Sequence, residues 1–414
     1  MFGFFQGRLR FVRACLLLSS VLLISIGIAT IYAVGHPAQA SPASRAHDWS
    51  GYYQKQMLFA GIGIMGFLAV NLVSYRRLGT MSHWIYGMIL LLLAYLLLSR
   101  YLGPLPLAPQ GRNNVYRWIV LHPSLPRIQP SEFCKLAYIL TLAWYLRYRS
   151  NYRSFKALVG PFLLTLLPMA LILPEPDLGT VMLLLPILFT MLFMAGAKVK
   201  HLVLIVCLGL AVSPVLWFKM RDYQRVRISS VLLQNNWVRA QAEESRVLAN
   251  ILAGENFNSD QWMRDMGYQL NRSKIAIASG GLTGHGFGEG DLIKYGFILP
   301  ELHNDFIFAT IANQWGFFGC LVVLGLYVVI FLCGLEITIH NTDPFGRLLC
   351  IGLLAMIVFE VFVNVGMTVG LMPITGLTLP LVSYGGSSLL VSMMAIGLLN
   401  NVGRSRPFMI AKKM

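Results

Sequence analysis

The sequence predicts an all-α, polytopic membrane protein with about ten transmembrane helices and one large extracellular loop. Of the 414 residues, 56% are hydrophobic and only 12% are charged, whereas a soluble domain carries roughly 25% charged residues. Apolar runs near the length of about 20 residues that crosses a bilayer also recur along the chain. We therefore treat residues 1–414 as a single transmembrane domain and residues 220–303 as its large extracellular loop.

The apolar runs give the predicted spans in order. The first run follows three arginines and is longer than the apolar part of a signal peptide, which is about 7–15 residues, so we interpret it as an uncleaved first helix. The predicted spans are residues 12–34, 55–74, 82–102, 132–147, 157–173, 178–196, 199–219, 304–335, 347–371 and 380–401.

Basic residues predict the orientation of these spans. Lys and Arg cluster in the short loops near residues 76–77, 147–156 and 198–200, and in the C-terminal tail. By the positive-inside rule this side is cytoplasmic and both termini lie there, so the loops 103–131 and 220–303 face outward. The formal net charge of +16 thus indicates membrane anchoring and not nucleic-acid binding.

One stretch, residues 299–319, places Glu301, His303 and Asp305 at the mouth of an apolar segment. Pro300 suits the first turn of a helix, and Glu301 and Asp305, four apart, would share a helix face. Acids also favour helix N-termini simply because the helix dipole stabilises negative charge there. The stretch by itself therefore supports a functional site and a structural cap equally.

Other polar residues lie in or beside apolar runs. Glu132 and Lys135 are three apart on a predicted helix and are expected to pair. Glu360, four residues before Asn364, is an acid in mid-membrane, which marks either a functional site or a lock between helices. Trp118 suits an interfacial anchor.

Two turns and a glycine-rich run complete the candidates. Glu175 and Asp177 are explained by a tight turn that caps a helix. Residues 279–290 are glycine-rich, which suits either a phosphate-binding backbone or a flexible outer loop. Gly and Pro within residues 370–388 predict broken helices that line a cavity, with Ser387 and Ser388 among the polar groups there.

Six segments together resemble the SEDS family (shape, elongation, division and sporulation), which includes RodA and FtsW. Two residues depart from the family pattern at Asn313 and Gln314, where glutamates are common, and a third at Asn304, where threonine is common. The matching segments, in family order, are YRW at 116–118, QPSEFCK at 129–135, PDLGT at 176–180, SGGLTGHGFGEG at 279–290, LPELHNDFIFA at 299–309 and MPITGLTLPLVSYGGSS at 372–388.

The resemblance implies a peptidoglycan glycosyltransferase that polymerises lipid II at the outer face of the bacterial cytoplasmic membrane. It implies that the product glycan is linked to undecaprenyl pyrophosphate, that Asp305 is the essential acid, and that a class B penicillin-binding protein is the partner. It also marks Trp118 and the Glu132–Lys135 pair as family positions. The motifs do not separate a role in elongation from one in division.

We expect an inverting transfer with Asp305 as general base. Substrate contacts are expected from Trp118, Glu132, Glu301, His303, Ser387 and Ser388, and cations for the pyrophosphate from Arg112, Arg117, Lys135, Arg221, Arg225 and Lys274. No metal-ligand set stands out, the six cysteines included, although a divalent cation would suit the leaving group. The alternatives are a lipid II flippase that depends on Glu360, and a scaffold that only recruits the transpeptidase.

Overall fold

The described part of the chain is helical. The computed structural model describes residues 2–36, 51–103, 105–107, 116–122, 126–148, 155–175, 177–220, 222–254, 257–264, 266–290 and 303–404. These ranges contain no β-strand, and Ile119 and Ile128 form an isolated antiparallel bridge. The α-helices are α1 (Phe2–Gly35), α2 (Tyr52–Leu72), α3 (Tyr75–Leu102), α4 (Pro130–Leu146), α5 (Val159–Ile172), α6 (Leu178–Met194), α7 (Val199–Lys219), α8 (Asp222–Leu233), α9 (Asn236–Glu244), α10 (Arg246–Leu252), α11 (Ser259–Arg264), α12 (Met266–Gly280), α13 (Ile307–His340), α14 (Pro344–Val369) and α15 (Gly386–Arg404).

The helices confirm the predicted class of multi-helix membrane protein. In the described ranges, eight helices are long and apolar enough to cross a membrane: α1, α2, α3, α5 with the 3₁₀ turn before it, α7, α13, α14 and α15. Each of the ten predicted spans coincides with a helix, but α4 and α6 have only 17 residues each. The count of about ten spans and the orientation therefore stay predictions.

Helix α14 occupies the centre of the bundle. It packs against α4, α6, α13 and α15, and 72% of its most apolar 18-residue stretch is buried. Small residues permit this packing, because a Cβ added to Gly352 would lie only 2.6 Å from Ile139 Cγ2 on α4. Around this centre, α1 packs against α13, and α2 packs against α15. Helix α7 is peripheral, with only Leu202 buried among its residues.

The region between α7 and α13, described from the sequence as a large loop, contains helices. Its polar middle has three short ones, α9, α10 and α11. Polar side chains cap the N-termini of two of them. The Asn235 side chain accepts from Trp237 N at the start of α9, and the Ser245 side chain accepts from Leu248 N at the start of α10. Their small core forms around Leu233, Ala242, Leu252, Ala253 and Trp262.

The glycine-rich segment is packed against a break in α13. Gly316 has φ 64° and ψ −160° within that helix, which interrupts the helical hydrogen-bond ladder. Backbone groups of residues 281–286 fill the gap through four hydrogen bonds: His285 N to Asn313 O at 3.1 Å, Gly286 N to Gln314 O at 3.0 Å, Phe317 N to Gly281 O at 2.9 Å, and Phe318 N to Leu282 O at 3.1 Å.

Close approach explains two glycines of this segment, Gly280 and Gly284. A Cβ on Gly280 would overlap the carbonyl of Ala312, and a Cβ on Gly284 would overlap the carbonyl of Gln314. The sequence left open a phosphate-binding backbone or a flexible loop, and the structure shows a third role for these residues. These residues complete the main-chain hydrogen bonding of a broken helix.

Candidate functional site

Asp305 lies in a turn just before α13. Residues 303–306 form this turn, and the helix begins at Ile307. The prediction that Asp305 is helical and shares a face with Glu301 is therefore wrong for Asp305; Glu301 itself lies outside the described residues. The carbonyls of this turn instead accept hydrogen bonds from other parts of the chain.

Three consecutive carbonyl groups of this turn accept hydrogen bonds from residues far along the sequence. Each donor belongs to α14 or to the segment between α14 and α15. Together they fix the main chain on which the Asp305 carboxylate stands. The hydrogen bonds are Tyr384 N to His303 O at 2.8 Å, Ser383 Oγ to Asn304 O at 2.7 Å, and Asn364 Nδ2 to Asp305 O at 2.9 Å.

The Asp305 carboxylate borders a glycine of the last motif. Asp305 is half-buried, and its Oδ1 is enclosed by protein. Gly376 lies alongside with φ +74°, and a Cβ at that position would come within 3.3 Å of Asp305 Oδ2. The following residue, Phe306, is buried and packs in one apolar cluster with Leu270 and Ala276 of α12. The carboxylate thus sits where α12, α13 and the segment after α14 meet.

A group of three rings stands beside this turn. The His303 ring lies 4.6 Å from that of Tyr52 and 5.2 Å from that of Tyr384, measured between centroids. His303 is buried, and burial lowers the pKa of its imidazole to about 4. The ring is therefore neutral at physiological pH, and the substrate contact predicted for His303 would be made without charge.

Lys135 is held between two carboxylates. Its Nζ donates to Glu132 Oε2 at 2.8 Å and to Glu360 Oε1 at 2.6 Å, and all three side chains are buried. The predicted Glu132–Lys135 pair is present in the structure, and Glu360 joins it from α14. Because this ammonium already faces two acids, it is poorly placed to hold a pyrophosphate.

The turn before α6 is organised around Asp177. Its carboxylate accepts from Ser131 Oγ at 2.7 Å and from Gln129 Nε2 at 3.1 Å, and it caps α6 at Thr180 N. Burial alone would raise the pKa of Asp177, but the charge of Arg117 and these hydrogen bonds hold it below its usual value. The expected capping role is therefore confirmed for Asp177.

Its neighbour Glu175 behaves differently. The side chain is 2% exposed, and no hydrogen bond to its Oε1 is found among the described residues. Burial, reinforced by the nearby charge of Asp177, raises the pKa of Glu175 to about 9, so this acid stays protonated at neutral pH. Arg117 donates from Nε to the main-chain oxygen of Glu175 at 2.6 Å.

The predicted serine contacts join loops together. Ser387 Oγ accepts from Gln129 N at 3.0 Å and lies 3.3 Å from Arg127 O, while Ser388 Oγ bonds to Thr378 Oγ1 at 2.6 Å. Trp118 is half-buried beside the isolated bridge at Ile119. Ser387 therefore fixes the last motif to the loop before α4, whereas Ser388 bonds within the motif.

The cation candidates differ in their partners. Lys135 and Arg225 face carboxylates, the latter at 2.6 Å from Asp222. Lys274, on α12, donates to the neutral amide of Gln234 at 3.1 Å, and Arg117 donates to a neutral main-chain carbonyl. Arg112 and Arg221 lie outside the described residues. Lys274 is therefore better placed to meet an anion than Lys135 and Arg225, whereas the charge of Arg117 already acts on the carboxylate of Asp177.

Sequence reasoning missed two residues of this site. Gln56, on α2, donates to Ser383 O at 3.1 Å and accepts from Gly385 N at 3.3 Å. Asn364 was considered only together with Glu360, yet it holds the carbonyl of Asp305. Both are buried amides in apolar helices, and that pattern was the available signal. No group of three or more potential metal ligands occurs within the described part of the chain.

Comparison with known proteins gives relatives along nearly the whole chain. The sequence is 35% identical to the peptidoglycan glycosyltransferase RodA of Treponema pallidum, over 94% of this chain and 96% of the relative. It is 31% identical to the probable peptidoglycan glycosyltransferase FtsW of Trichlorobacter lovleyi, over 94% and 92% of the two chains.

The fold has a relative of known structure as well. A chain from a structure described as the structural coordination of polymerization and crosslinking by a peptidoglycan synthase complex superposes with a TM-score of 0.70 at 29% identity, covering 94% of this chain and 96% of that one. The profile of the FtsW/RodA/SpoVE family, described as cell cycle proteins, matches residues 13–407. The chain belongs to this family.

Proposed function

We propose that this protein is a peptidoglycan glycosyltransferase that polymerises lipid II into glycan strands at the outer face of the bacterial cytoplasmic membrane. Relatives that cover nearly all of this chain are named peptidoglycan glycosyltransferases, in both the RodA and FtsW groups. A role in elongation or in division follows from these two groups, and both termini would lie in the cytoplasm.

The reaction joins one lipid-linked sugar to another. A hydroxyl oxygen of the acceptor attacks the anomeric carbon of the donor, and the bond from that carbon to the pyrophosphate oxygen breaks. Undecaprenyl pyrophosphate leaves with the electron pair, and an α-linked donor becomes a β-1,4-linked product in one inverting step. The hydroxyl proton passes to a base on the protein.

Asp305 is the proposed base. The observation that carries this role is the three-carbonyl anchor of its turn, at 2.7–2.9 Å, which holds one half-buried carboxylate in a fixed place. A general base must lie within hydrogen-bond reach of the proton that it removes, and it contributes roughly 10²–10⁴-fold to the rate. A carboxylate on an unanchored loop would lose part of that factor.

The leaving pyrophosphate needs positive charge. Lys274 supports this role because its ammonium lies on α12, the helix that packs against Phe306, and donates to a neutral amide instead of a carboxylate. Arg117 is the second candidate. Trp118, Glu132, Glu301, His303, Ser387 and Ser388 remain proposed substrate positions.

The proposed partner is a class B penicillin-binding protein. The structural relative comes from a complex described as coordinating polymerization and crosslinking, which are two separate activities. A polymerase of this family would supply the strands, and a transpeptidase would crosslink them.

The test is polymerisation of labelled lipid II by purified protein with the partner present. Asp305→Asn keeps the size of the side chain but removes the base, so we expect a loss of about 100-fold or more in turnover. Asp343→Asn is the matched control, since it makes the same chemical change at the N-cap of α14, where Asp343 accepts from Phe345 N. Full activity of a folded Asp305→Asn variant would remove Asp305 from the mechanism.

The flippase alternative makes the opposite prediction. A transporter would depend on Glu360 and would move lipid II across vesicles without forming polymer. Glu360 is ion-paired with Lys135 at 2.6 Å in the interior, which supports a structural role. Lipid movement without polymer in wild-type protein would favour the transporter.

A further inference from the structure

We infer that Asn364 is a positioning residue for Asp305, and this inference rests on the proposed function. Asn364 lies on α14 and its side chain is fully buried. Its Nδ2 donates one hydrogen bond to Asp305 O at 2.9 Å and another to Leu377 O at 2.6 Å. An asparagine amide has two N–H donors, so both are used on main-chain carbonyls of the site.

The second bond matters because Leu377 directly follows Gly376 in the chain. Gly376 borders the Asp305 carboxylate, with a Cβ there coming within 3.3 Å of Oδ2. One amide therefore holds both the main chain that carries the carboxylate and the main chain that lies against it. Asn364 thus bridges these two segments next to the carboxylate, in addition to the direct hydrogen bonds from Ser383 and Tyr384.

Helix α14, which carries Asn364, is held firmly in the bundle. Glu360, one turn earlier on α14, is tied to Lys135 at 2.6 Å, and α14 packs on several other helices, α4, α6, α13 and α15 among them. Asn364 is thus a point at which this buried helix contacts the turn of Asp305. Movement of this contact would move the base relative to any bound sugar.

Loss of the amide should not unfold the turn. The carbonyls of His303 and Asn304 keep their own donors, Tyr384 N and Ser383 Oγ. The expected defect is therefore a misplaced carboxylate on a folded protein. A misplacement of about 1 Å is enough to cost about 100-fold in rate.

The chain offers a matched control in Asn401 on α15. Its side chain is also buried, and its Nδ2 also donates to two main-chain carbonyls, Val70 O at 2.6 Å and Val73 O at 2.7 Å. It additionally accepts from Tyr75 N at 3.3 Å. Asn401→Ala therefore removes at least as many hydrogen bonds as Asn364→Ala, but none of them at Asp305.

The experiment compares Asn364→Ala, Asn364→Asp and Asn401→Ala in full-length protein with its partner. We measure kcat and KM for lipid II, the melting temperature in detergent, and the rate at which a water-soluble carbodiimide labels Asp305, read by mass spectrometry. The labelling rate reports the position of the carboxylate without requiring activity.

We expect both Asn364 variants to lose kcat by about 10-fold to 100-fold with KM nearly unchanged, and to change the labelling rate of Asp305. Asn364→Asp should fail although it keeps the shape, because a carboxylate cannot donate to two carbonyls. Asn401→Ala should lower the melting temperature to a similar extent while keeping kcat and the labelling rate.

Two results would overturn the inference. Equal losses of kcat in Asn364→Ala and Asn401→Ala would show a general loss of stability, and an unchanged labelling rate in the Asn364 variants would show that Asp305 had not moved. Failure of the proposed function looks different: wild-type protein would then form no polymer, while the labelling comparison would still decide the positioning role.

Discussion

Helices α14 and α7 are both apolar enough to cross a membrane, yet α14 is largely buried in the bundle and α7 is largely exposed. In α14, 72% of the most apolar stretch is buried, against 6% in α7. Helix α14 carries Glu360 and Asn364 in its buried interior, and both find partners on other elements. In α7, Ser213 bonds to its own helix, at Leu210 O.

The difference shows what places a helix at the centre. An apolar face packs equally well against lipid or against another helix, so hydropathy alone does not decide between these surroundings. Buried polar groups do decide, because in a bilayer they need a partner from the protein. The exposed apolar side chains of α7 are suited to lipid, whereas the polar residues of α14 require α4 and the Asp305 turn.

The largest effect is expected from removing Lys135, the cation that pairs with Glu360 of α14. Lys135→Met leaves Glu132 and Glu360 buried without their positive partner, which we expect to destabilise the protein by about 3–5 kcal/mol. The check is the yield of monodisperse protein and its melting temperature in detergent.

The matched change at the other helix is Lys219→Met, at the exposed end of α7. It should lower the melting temperature little, since an exposed lysine loses few contacts. Similar damage from the two substitutions would mean that total charge matters and not the buried partner.

A smaller effect is expected from adding one methyl group to each helix. In α14, Gly352→Ala brings a Cβ to 2.6 Å from Ile139 Cγ2, and overpacking of this kind costs about 1–3 kcal/mol. In α7, a Cβ on Gly209 meets nothing within 4 Å, so the better helix propensity of alanine should leave stability equal or up to about 1 kcal/mol higher. Melting temperatures of the two variants give the comparison, which fails if both fall together.

An effect that is spread over several pH units concerns Glu175, a buried acid that is not held by a lysine as Glu360 is. The pKa of Glu175 rises from 4.5 to about 9 through burial, so folding keeps a proton that the unfolded chain releases above pH 4.5. Stability from this group therefore falls as pH rises through that window, by up to about 1.4 kcal/mol per pH unit.

Glu175→Gln removes this penalty and keeps the shape. The melting temperature of the variant should exceed that of wild type more at about pH 8 than at about pH 5.5, and the gain should level off above about pH 9. A gain that is independent of pH would mean that Glu175 is already ionised in the folded protein.

The sequence predicted local features well and distant contacts poorly. Each apolar run is a helix, and the spacing of Glu132 and Lys135 was enough to predict their pair. Their third partner, Glu360, is 225 residues from Lys135, beyond the reach of any helix-spacing rule. The turn before α13 was also not predicted, and its carbonyls accept hydrogen bonds from residues 59 and 79 positions away.

The glycine-rich segment shows a further limit. A glycine that admits a phosphate and a glycine that admits a neighbouring carbonyl both need the missing Cβ, so composition does not distinguish them. The contacts of Gly280 and Gly284 with α13 show that these two glycines admit neighbouring carbonyls.

The two kinds of support for α13 differ in when they become available during synthesis. Residues 281–286, which complete the break at Gly316, leave the ribosome before the helix they serve. The donors for the turn of Asp305, Asn364 and Ser383, are made 59 and 79 residues after their acceptors. The nascent chain can thus complete the hydrogen bonds at the break in α13 as soon as this helix is made. The Asp305 carboxylate reaches its final position only after α14 and the segment beyond it have been inserted.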